Sequence, residues 1–337
     1  MKDESLLEEI GDNLLEETGE SLLEENKNTA ESENTTRQKQ LMEQLRKELE
    51  AAKKQREEME RRIRELEAGQ RKTGEETERK AEELANSEPY AVLGNNNKTL
   101  TFYYDTKKIA RKGLLLNSNQ FPLANLNYTR NITTVIFDES FSDCHSIYSA
   151  KRWFEGMEKL TTIKGLNRLN TENITDMYSM FCGCSLLQEL DLSNFNTGNV
   201  MDMKEMFSGC RFLKKLDLST FDTTKVRSME EMFYDCSSLQ ELDLRNFNTI
   251  NVTDMTRMFG GCISLQKINL ESFRTRNVTS MSYMFGGCSS LKKLDVSNFE
   301  TGNVRNIEDS HMFKGVDESI IKRQKSVIQM FRSLFGK

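Results

Sequence analysis

The sequence predicts an α/β repeat protein: a βα solenoid with a parallel β-sheet, a small β-hairpin cap at its N-terminal end, and an α-helical coiled coil before the cap. The first observation is a repeat. NVMDMKEMFSGCRFL begins at Asn199, NVTDMTRMFGGCISL begins at Asn251, and related segments begin at Lys225 and Asn277, which gives a period of 26 residues. Periods of this length are typical of stacked repeats. The other two observations are heptads early in the chain and alternating apolar residues just before the repeats.

Charge is distributed unevenly along the 337 residues, whose net charge is −6. Residues 1–36 hold twelve acids against two bases, Lys2 and Lys27, and repeat a Leu-Leu-Glu-Glu unit at period 8. This composition favours a disordered segment, although an acidic amphipathic helix could form on a partner. The overall charge argues against a general nucleic-acid binder.

The first residues do not have the pattern of a Sec signal, because acids separate every apolar pair in MKDESLLEEIGDNLLEE. A run of 18 apolar residues, which a spanning helix needs, does not occur in the sequence. We therefore expect a chain that stays in the cytoplasm where it is made, unless a non-Sec route exports it or the true start lies upstream.

Heptads begin near Gln38 and predict a helical stalk over residues 37–86. Positions a and d are occupied as follows: Met42, Leu49, Arg56 and Ile63 at a, and Leu45, Ala52, Met59 and Leu66 at d. In a parallel dimer, Glu48 would meet Lys53 and Arg62 would meet Glu67. We expect a homo-oligomer; the alternative is a single solvated helix held by pairs such as Glu43–Lys47. Gly69 and Gly74 are predicted to end the heptad helix.

A β-rich cap is predicted for residues 87–150. YAVL, the turn letters GNNN and the alternating TLTFYYD are typical of a β-hairpin, and TTVIF at 133–137 predicts a third strand. This stretch matches no 26-residue repeat. Because stacked repeats need their first apolar face covered, we expect it to cap the repeats.

The repeats over 151–313 form about six turns, of which the first, beginning at Trp153, is degenerate. In each unit, leucines such as Leu190 and Leu192 are spaced as in a short strand with two inward side chains. The other half has apolar residues three and four apart, which predicts a short helix. This face is made of Val200, Met203, Met206, Phe207 and Cys210.

The unit LDLSNFNTGNVMDMKEMFSGC resembles the 26-residue leucine-rich repeat of bacterial surface proteins, found in BspA-like and in listerial and mycoplasmal lipoprotein families. The resemblance covers residues 153–313. It implies a non-enzymatic surface, adhesion or interaction protein with a protein or host-matrix ligand. The chain shows neither a signal nor a lipobox, so the alternative is an intracellular scaffold or non-Sec effector that uses the coil and acidic segment.

Cysteines occupy one column of the repeats: Cys184, Cys210, Cys236, Cys262 and Cys288. On an apolar face a free cysteine behaves as a small buried hydrophobe, and we expect reduced core thiols. Disulfides between neighbours and zinc are the alternatives, although zinc-ligand spacings are missing. The sequence has no Gly-rich phosphate loop and no nucleophile elbow, and only two histidines. We expect no enzyme, no cofactor and no metal.

Outward positions on the predicted strands are the candidate binding site. An acidic column runs through Asp191, Asp217, Asp243 and Asp295, with Asn269 in the remaining place. We expect these side chains to accept hydrogen bonds from adjacent turns; a cation or ligand strip is the alternative. Neighbouring positions vary in charge, which suits a partner-facing strip or an ordinary solvated surface. The candidate strip is Asp191, Lys214, Lys215, Asp217, Glu241, Asp243 and Lys267.

The tail ESIIKRQKSVIQMFRSLFGK predicts an amphipathic helix within residues 314–337, with bases off its apolar stripe. We expect it to cover the last repeat, as stacked repeats require. Contact with an anionic membrane or with a partner groove is the alternative.

Overall fold

The structure, a computed structural model, describes residues 35–94, 96–116, 129–305 and 311–323. The chain divides into two units, residues 1–79 and 80–337. The predicted acidic segment lies outside the described residues except at its last two positions. The predicted C-terminal helix lies outside them from residue 324 onward.

Helix α1 runs without a break from Thr35 to Ala85. Gly69 and Gly74 lie inside α1, so the prediction that they end the heptad helix is wrong. Each glycine costs about 1 kcal/mol relative to alanine, and the surrounding Arg, Lys and Glu residues are strong helix formers. Ion pairs one turn apart add support, among them Arg56–Glu60 at 3.0 Å.

The N-terminal sheet contains the predicted hairpin. β1 (Glu88–Leu93) pairs antiparallel with β2 (Thr99–Asp105), and β3 (Leu114–Leu115) pairs antiparallel with β1. β4 (Thr134–Phe137) lies parallel to β2, and β5 (Thr162–Lys164) lies parallel to β4, so the order is β3-β1-β2-β4-β5. The hairpin and the third strand are confirmed. Through β5 this sheet continues into the first repeat.

Later repeats contribute short parallel strands at the predicted leucine positions. β6 (Glu241–Asp243) pairs with β7 (Lys267–Asn269), and Leu242 lies opposite Ile268, one period away. β8 (Leu294–Val296) pairs with β9 (Ile321–Arg323). β9 and the 3-10 turn before it, Glu318–Ile320, occupy the beginning of the predicted C-terminal helix. The helix is wrong over this stretch, because Ile321 extends the parallel pairing to Leu294 in place of a helical bond.

The short helix predicted in each repeat is wrong. Backbone N–H groups of alternate residues donate to the next repeat: Ser179 to Lys204 at 2.9 Å, Phe181 to Met206 at 2.9 Å. The N–H groups between them close tight turns, as Cys182 does to Ser179 at 3.1 Å. Ser179 has a φ of 51°, a left-handed value that a right-handed helix does not contain. Consecutive turns therefore produce the same three-and-four spacing of apolar residues that a helix produces.

These turns connect the repeats into one ladder. Parallel bridges link the same position of successive repeats, through Ser149, Asp176, Asp202, Ser228, Asp254 and Ser280. Asparagine amides add cross-links on the exposed side, such as Asn251 to the carbonyl of Thr224 at 2.7 Å. The backbone polar groups of each turn are thus satisfied by its neighbours, which a single isolated repeat could not achieve.

The core consists of stacked columns of identical side chains. The rings of Phe207, Phe233 and Phe259 lie parallel, with centroids 5.7 Å apart, and all are fully buried. The repeat cysteines are buried and free, as predicted. Each thiol donates to a phenylalanine carbonyl of the preceding repeat, for example Cys236 Sγ to Phe207 O at 3.1 Å. The cysteine column is therefore both core and a cross-link between repeats.

A column of buried threonines provides a further cross-link that the sequence analysis missed. The Thr223 hydroxyl donates to the Asn248 carbonyl at 2.9 Å and accepts from the Asn248 N–H at 2.8 Å. The same pair of bonds recurs at Thr197, Thr249 and Thr275. The signal was present in the sequence, because each of these threonines follows by two positions a second repeated phenylalanine, which is distinct from the stacked column of Phe207. The members of this second column are Phe195, Phe221, Phe247 and Phe273.

We expect Thr223→Val to destabilise the protein by about 2–3 kcal/mol, because the isosteric valine leaves both backbone groups of Asn248 without their buried partner. Urea denaturation followed by circular dichroism measures this loss. The control is Thr224→Val at the next position, where the side chain is exposed; we expect about 0.5 kcal/mol or less there. Equal losses at the two positions would contradict the assigned role of the buried hydroxyl.

Candidate partner-binding surface

The seven residues of the predicted strip are all exposed on the strand side of the repeats. Asp191, Asp217 and Asp243 are held by their own turns, which corrects the expected bonding for these three. Asp295 also accepts from Lys322 of the adjacent turn, as expected. Asp191 accepts from the Ser193 N–H at 3.0 Å and Asp217 from the Ser219 N–H at 2.9 Å. Such bonds are typical of Asp at turns, where the side chain caps the N–H two residues on.

Hydrogen bonds to these carboxylates favour the charged form. The bond from the Ser219 N–H lowers the pKa of Asp217, and the Arg245 guanidinium lowers the pKa of Asp243. In the last repeat, the Lys322 ammonium, 2.8 Å away, lowers the pKa of Asp295 to about 2. The acidic column therefore carries full negative charge at neutral pH.

A groove of about 790 Å³ lies along β6, β7 and β8. It brings together three residues of the predicted strip: Glu241, Asp243 and Lys267. The other four, Asp191, Lys214, Lys215 and Asp217, lie outside its lining, in earlier repeats. The groove also includes residues that the sequence analysis left out of the strip, namely Arg245, Gln266, Glu271, Lys292, Lys293 and Asn298.

Several charges in the groove are paired across or within repeats. Lys267 Nζ lies 2.6 Å from Glu241 Oε1, and Arg245 Nε lies 2.8 Å from Asp243 Oδ2. Within the part of the chain that the structure describes, Lys292 and Lys293 form no ion pair and are exposed. The groove therefore offers two unpaired ammonium groups beside already neutralised pairs.

The groove has a partly apolar floor, formed by Leu242 of β6, Ile268 of β7 and Leu270 directly after β7. Leu242 and Leu270 are almost fully buried, whereas Ile268 is half-buried and remains accessible. Side chains that alternate between buried and exposed follow from the strand geometry. An open, elongated surface of this kind can contact a polypeptide along several repeats.

Among the described residues there is no group of three or more His, Cys, Asp or Glu side chains arranged to hold a metal ion. No helix within the described ranges is sufficiently long and apolar to cross a membrane.

Two solved structures are similar to the chain at low identity. A leucine-rich repeat protein of T. pallidum is 17% identical, with a TM-score of 0.34, and the match covers 60% of this chain and 86% of that chain. A leucine-rich repeat protein of Eubacterium ventriosum is 12% identical, with a TM-score of 0.27 and coverage of 68% and 93%. No curated protein matches the chain.

One protein family matches the repeats twice, over residues 148–243 and 238–334. Together the two matches span 148–334, which is more than half of the 337 residues. They begin just before the degenerate first repeat, and their description names the mycoplasmas, so the predicted resemblance to a mycoplasmal repeat family is confirmed. The chain belongs to the family described as Mycoplasma protein of unknown function, DUF285.

Proposed function

We propose that the protein is a non-enzymatic interaction or adhesion module that binds a protein or host-matrix ligand on the strand side of its repeats. The observation that supports this proposal best is the groove along β6, β7 and β8, where exposed, variable and charged side chains stand on an invariant core. Repeat proteins commonly use such a surface for binding, because outward positions change without loss of the scaffold.

The proposal includes a finer description of the architecture. The stacked repeats would form a solenoid, the N-terminal sheet would be its cap, and α1 would self-associate as a coiled coil. Two contacts support the cap: Phe102 of β2 stacks on Phe137 of β4 with centroids 4.7 Å apart, and on Trp153 of the first repeat at 5.3 Å. A cap is needed because the first repeat otherwise exposes its apolar side.

The groove favours a polar, extended partner segment. Its paired charges, Glu241–Lys267 and Asp243–Arg245, are exposed and are screened by salt, so they can exchange partners at small cost. Lys292 and Lys293 are available for acidic groups, while Ile268 offers apolar contact. The carboxylates of the acidic column attract basic groups of a partner and repel its acidic groups, which contributes to specificity.

The test is charge reversal of two lysine pairs on the strand side: Lys214→Glu with Lys215→Glu in the predicted strip, and Lys292→Glu with Lys293→Glu in the groove. Binding of the full chain to a panel of immobilised extracellular-matrix proteins and to cultured host cells is measured by surface plasmon resonance and by cell adhesion. We expect at least a tenfold loss of affinity, about 1.4 kcal/mol, from the groove pair. Stability should change by about 0.5 kcal/mol or less.

A matched control is the double variant Lys107→Glu with Lys112→Glu. Both lysines are exposed in the N-terminal sheet region, and the change in net charge is the same. If both groove and control variants lose binding equally, overall charge and not the groove is responsible. If neither lysine pair changes the affinity for a ligand that the wild type binds, the strand side is the wrong surface.

The rival proposal is an intracellular scaffold, or an effector exported by a non-Sec route, in which α1 and the acidic N-terminal segment recruit partners. It is supported by the length of α1 and the exposure of its side chains. Protease treatment of intact cells, followed by detection of the repeats, distinguishes the two. A surface protein is degraded under conditions that leave a cytoplasmic marker intact, whereas a scaffold survives with the marker.

A further inference from the structure

Helix α1 carries an apolar stripe that is open to solvent. The stripe occupies heptad positions a and d over four heptads, and its side chains are between 39% and 67% exposed. Its members are Met42, Leu45, Leu49, Met59, Ile63 and Leu66. A long, otherwise charged helix gains little from such a stripe alone, whereas a second helix would cover it.

We propose that α1 pairs with α1 of a second copy in the antiparallel direction. This inference rests on the proposed self-association of α1 and specifies its geometry. One antiparallel register aligns all four heptads, so that every a residue faces a d residue of the second copy. The facing layers are Met42 with Leu66, Leu49 with Met59, Arg56 with Ala52, and Ile63 with Leu45.

Arg56 is the residue that favours this direction. In a parallel pair, the two Arg56 side chains would face each other within one layer of the seam, with like charges in contact. In the antiparallel register each Arg56 lies opposite Ala52, whose small side chain leaves room for the aliphatic part of the arginine. The Arg56 guanidinium bonds to Glu60 at 3.0 Å, which directs its charge to the edge of the seam.

The charges beside the seam also favour the antiparallel direction. Helical side chains lean toward their own N-terminus, so in antiparallel helices an e residue converges on an e residue and a g residue on a g residue. The resulting pairs are Arg46 with Glu67, Lys53 with Glu60, and Glu48 with Arg62, and symmetry gives each pair twice. The parallel arrangement gives two attractive pairs, Glu48 with Lys53 and Arg62 with Glu67, each also twice.

Disulfide trapping in the full chain tests the direction. Leu45→Cys and Ile63→Cys are prepared as separate proteins, refolded alone or as an equimolar mixture, and oxidised mildly. We expect covalent dimers in the mixture and none in either protein alone. In the mixture, only the dimers that contain one copy of each variant should become covalent, and random pairing sets their fraction. In an antiparallel pair position 45 meets position 63, whereas two copies of the same position are far apart.

The wild-type chain, oxidised in the same way, is the control for covalent dimers formed through its seven native cysteines. Of these, Cys182 is half-buried and the others are buried. Covalent dimers in each single variant alone would show a parallel pair and overturn the inference while leaving self-association intact. A monomer mass for the unoxidised wild type in analytical ultracentrifugation would overturn both. Neither result affects the strand-side binding measured with the lysine variants.

A second measurement does not depend on introduced cysteines. Arg46→Glu places two carboxylates together in the antiparallel pair, and we expect it to weaken dimerisation at least tenfold at low salt. Combining it with Glu67→Arg should restore the wild-type dissociation constant, because the pair is exchanged. In a parallel pair positions 46 and 67 do not meet, so Glu67→Arg would not rescue Arg46→Glu, and that result would overturn the inference.

Discussion

Replacing Phe233 by alanine is expected to reduce the free energy of unfolding by about 3–5 kcal/mol. The ring is fully buried and is stacked between Phe207 and Phe259, with both centroid distances at 5.7 Å. Removing it opens a cavity in the middle of the phenylalanine column, with repeats on both sides held apart by the backbone ladder. Typical domains have 5–15 kcal/mol in total, so a loss of this size is readily measured by urea denaturation.

Phe212→Ala is the matched control, since Phe212 belongs to a neighbouring repeat but is 49% exposed. We expect a change of about 0.5 kcal/mol or less there. Phe233→Leu should lose less than Phe233→Ala, because part of the cavity is filled. A loss below about 1 kcal/mol for Phe233→Ala would mean that the repeats on either side collapse onto the space, contrary to a rigid ladder.

The buried positions that recur every 26 residues were predictable, because each repeat buries the same side chains against its neighbours. The counterparts of Phe207 and Cys210 are buried in each of the five regular repeats, and strand leucines such as Leu192, Leu218 and Leu242 point inward as expected. The hairpin was also predictable, since Gly94 and the asparagines after it separate two alternating segments. In both cases a local pattern of apolar residues was sufficient.

The conformation between those positions was not predictable from apolar spacing. A short helix and a series of tight turns both place apolar residues three and four apart, and only the direction of the N–H groups separates them. Left-handed residues were the discriminating feature: Gly183 and Gly209 are compatible with that conformation, but Ser179 and Glu205 occupy it as well. Non-glycine residues rarely adopt it, so the sequence pattern points elsewhere.

The candidate site was predicted as a strip of seven residues, but only the C-terminal part of this strip lines the groove. Asp243 and Lys267 line the groove, whereas Lys214 and Asp217 lie in earlier repeats. Arg245 was missed because it follows the acidic column by two positions, where other repeats have Ser219 or Ser297. That column holds serine in three other repeats and Glu271 in the fourth, so a single arginine gives no periodic signal, although it adds a positive charge.

The second large effect is expected at alkaline pH, where stability should fall steeply from about pH 9 upward. Burial raises the pKa of the Cys236 and Cys262 thiols well above the ordinary value of 9.0, and raises the pKa of Cys288 to about 12. The thiols of Cys184 and Cys210 are raised for the same reason. In the unfolded chain these thiols lose their protons near pH 9, so the native state binds more protons above that pH.

The stability that the protonated thiols contribute is complete below pH 9 and is lost as the pH rises toward the pKa values of the folded state. Well above pH 9, each buried thiol that stays protonated in the folded state should lower the free energy of unfolding by about 1.4 kcal/mol per pH unit. Urea denaturation at pH 8.5, 9.5 and 10.5 measures the slope. Burial also raises the pKa values of Cys144, Cys182, Tyr90 and Tyr104, which add to the slope, so the informative comparison is between variants.

Cys236→Ala should reduce that slope by about 1.4 kcal/mol per pH unit, because one titrating thiol is removed. At pH 7 the same variant should be less stable than wild type by about 1 kcal/mol, since it loses the bond from Sγ to the Phe207 carbonyl. The stability curves of the two proteins should therefore converge, and then cross, as pH rises. Ser237→Ala at the next position, which has no titrating group, should leave the slope unchanged. Equal slopes for wild type and Cys236→Ala would show that this thiol titrates alike in both states, and the buried cysteine column would then not be protected from solvent.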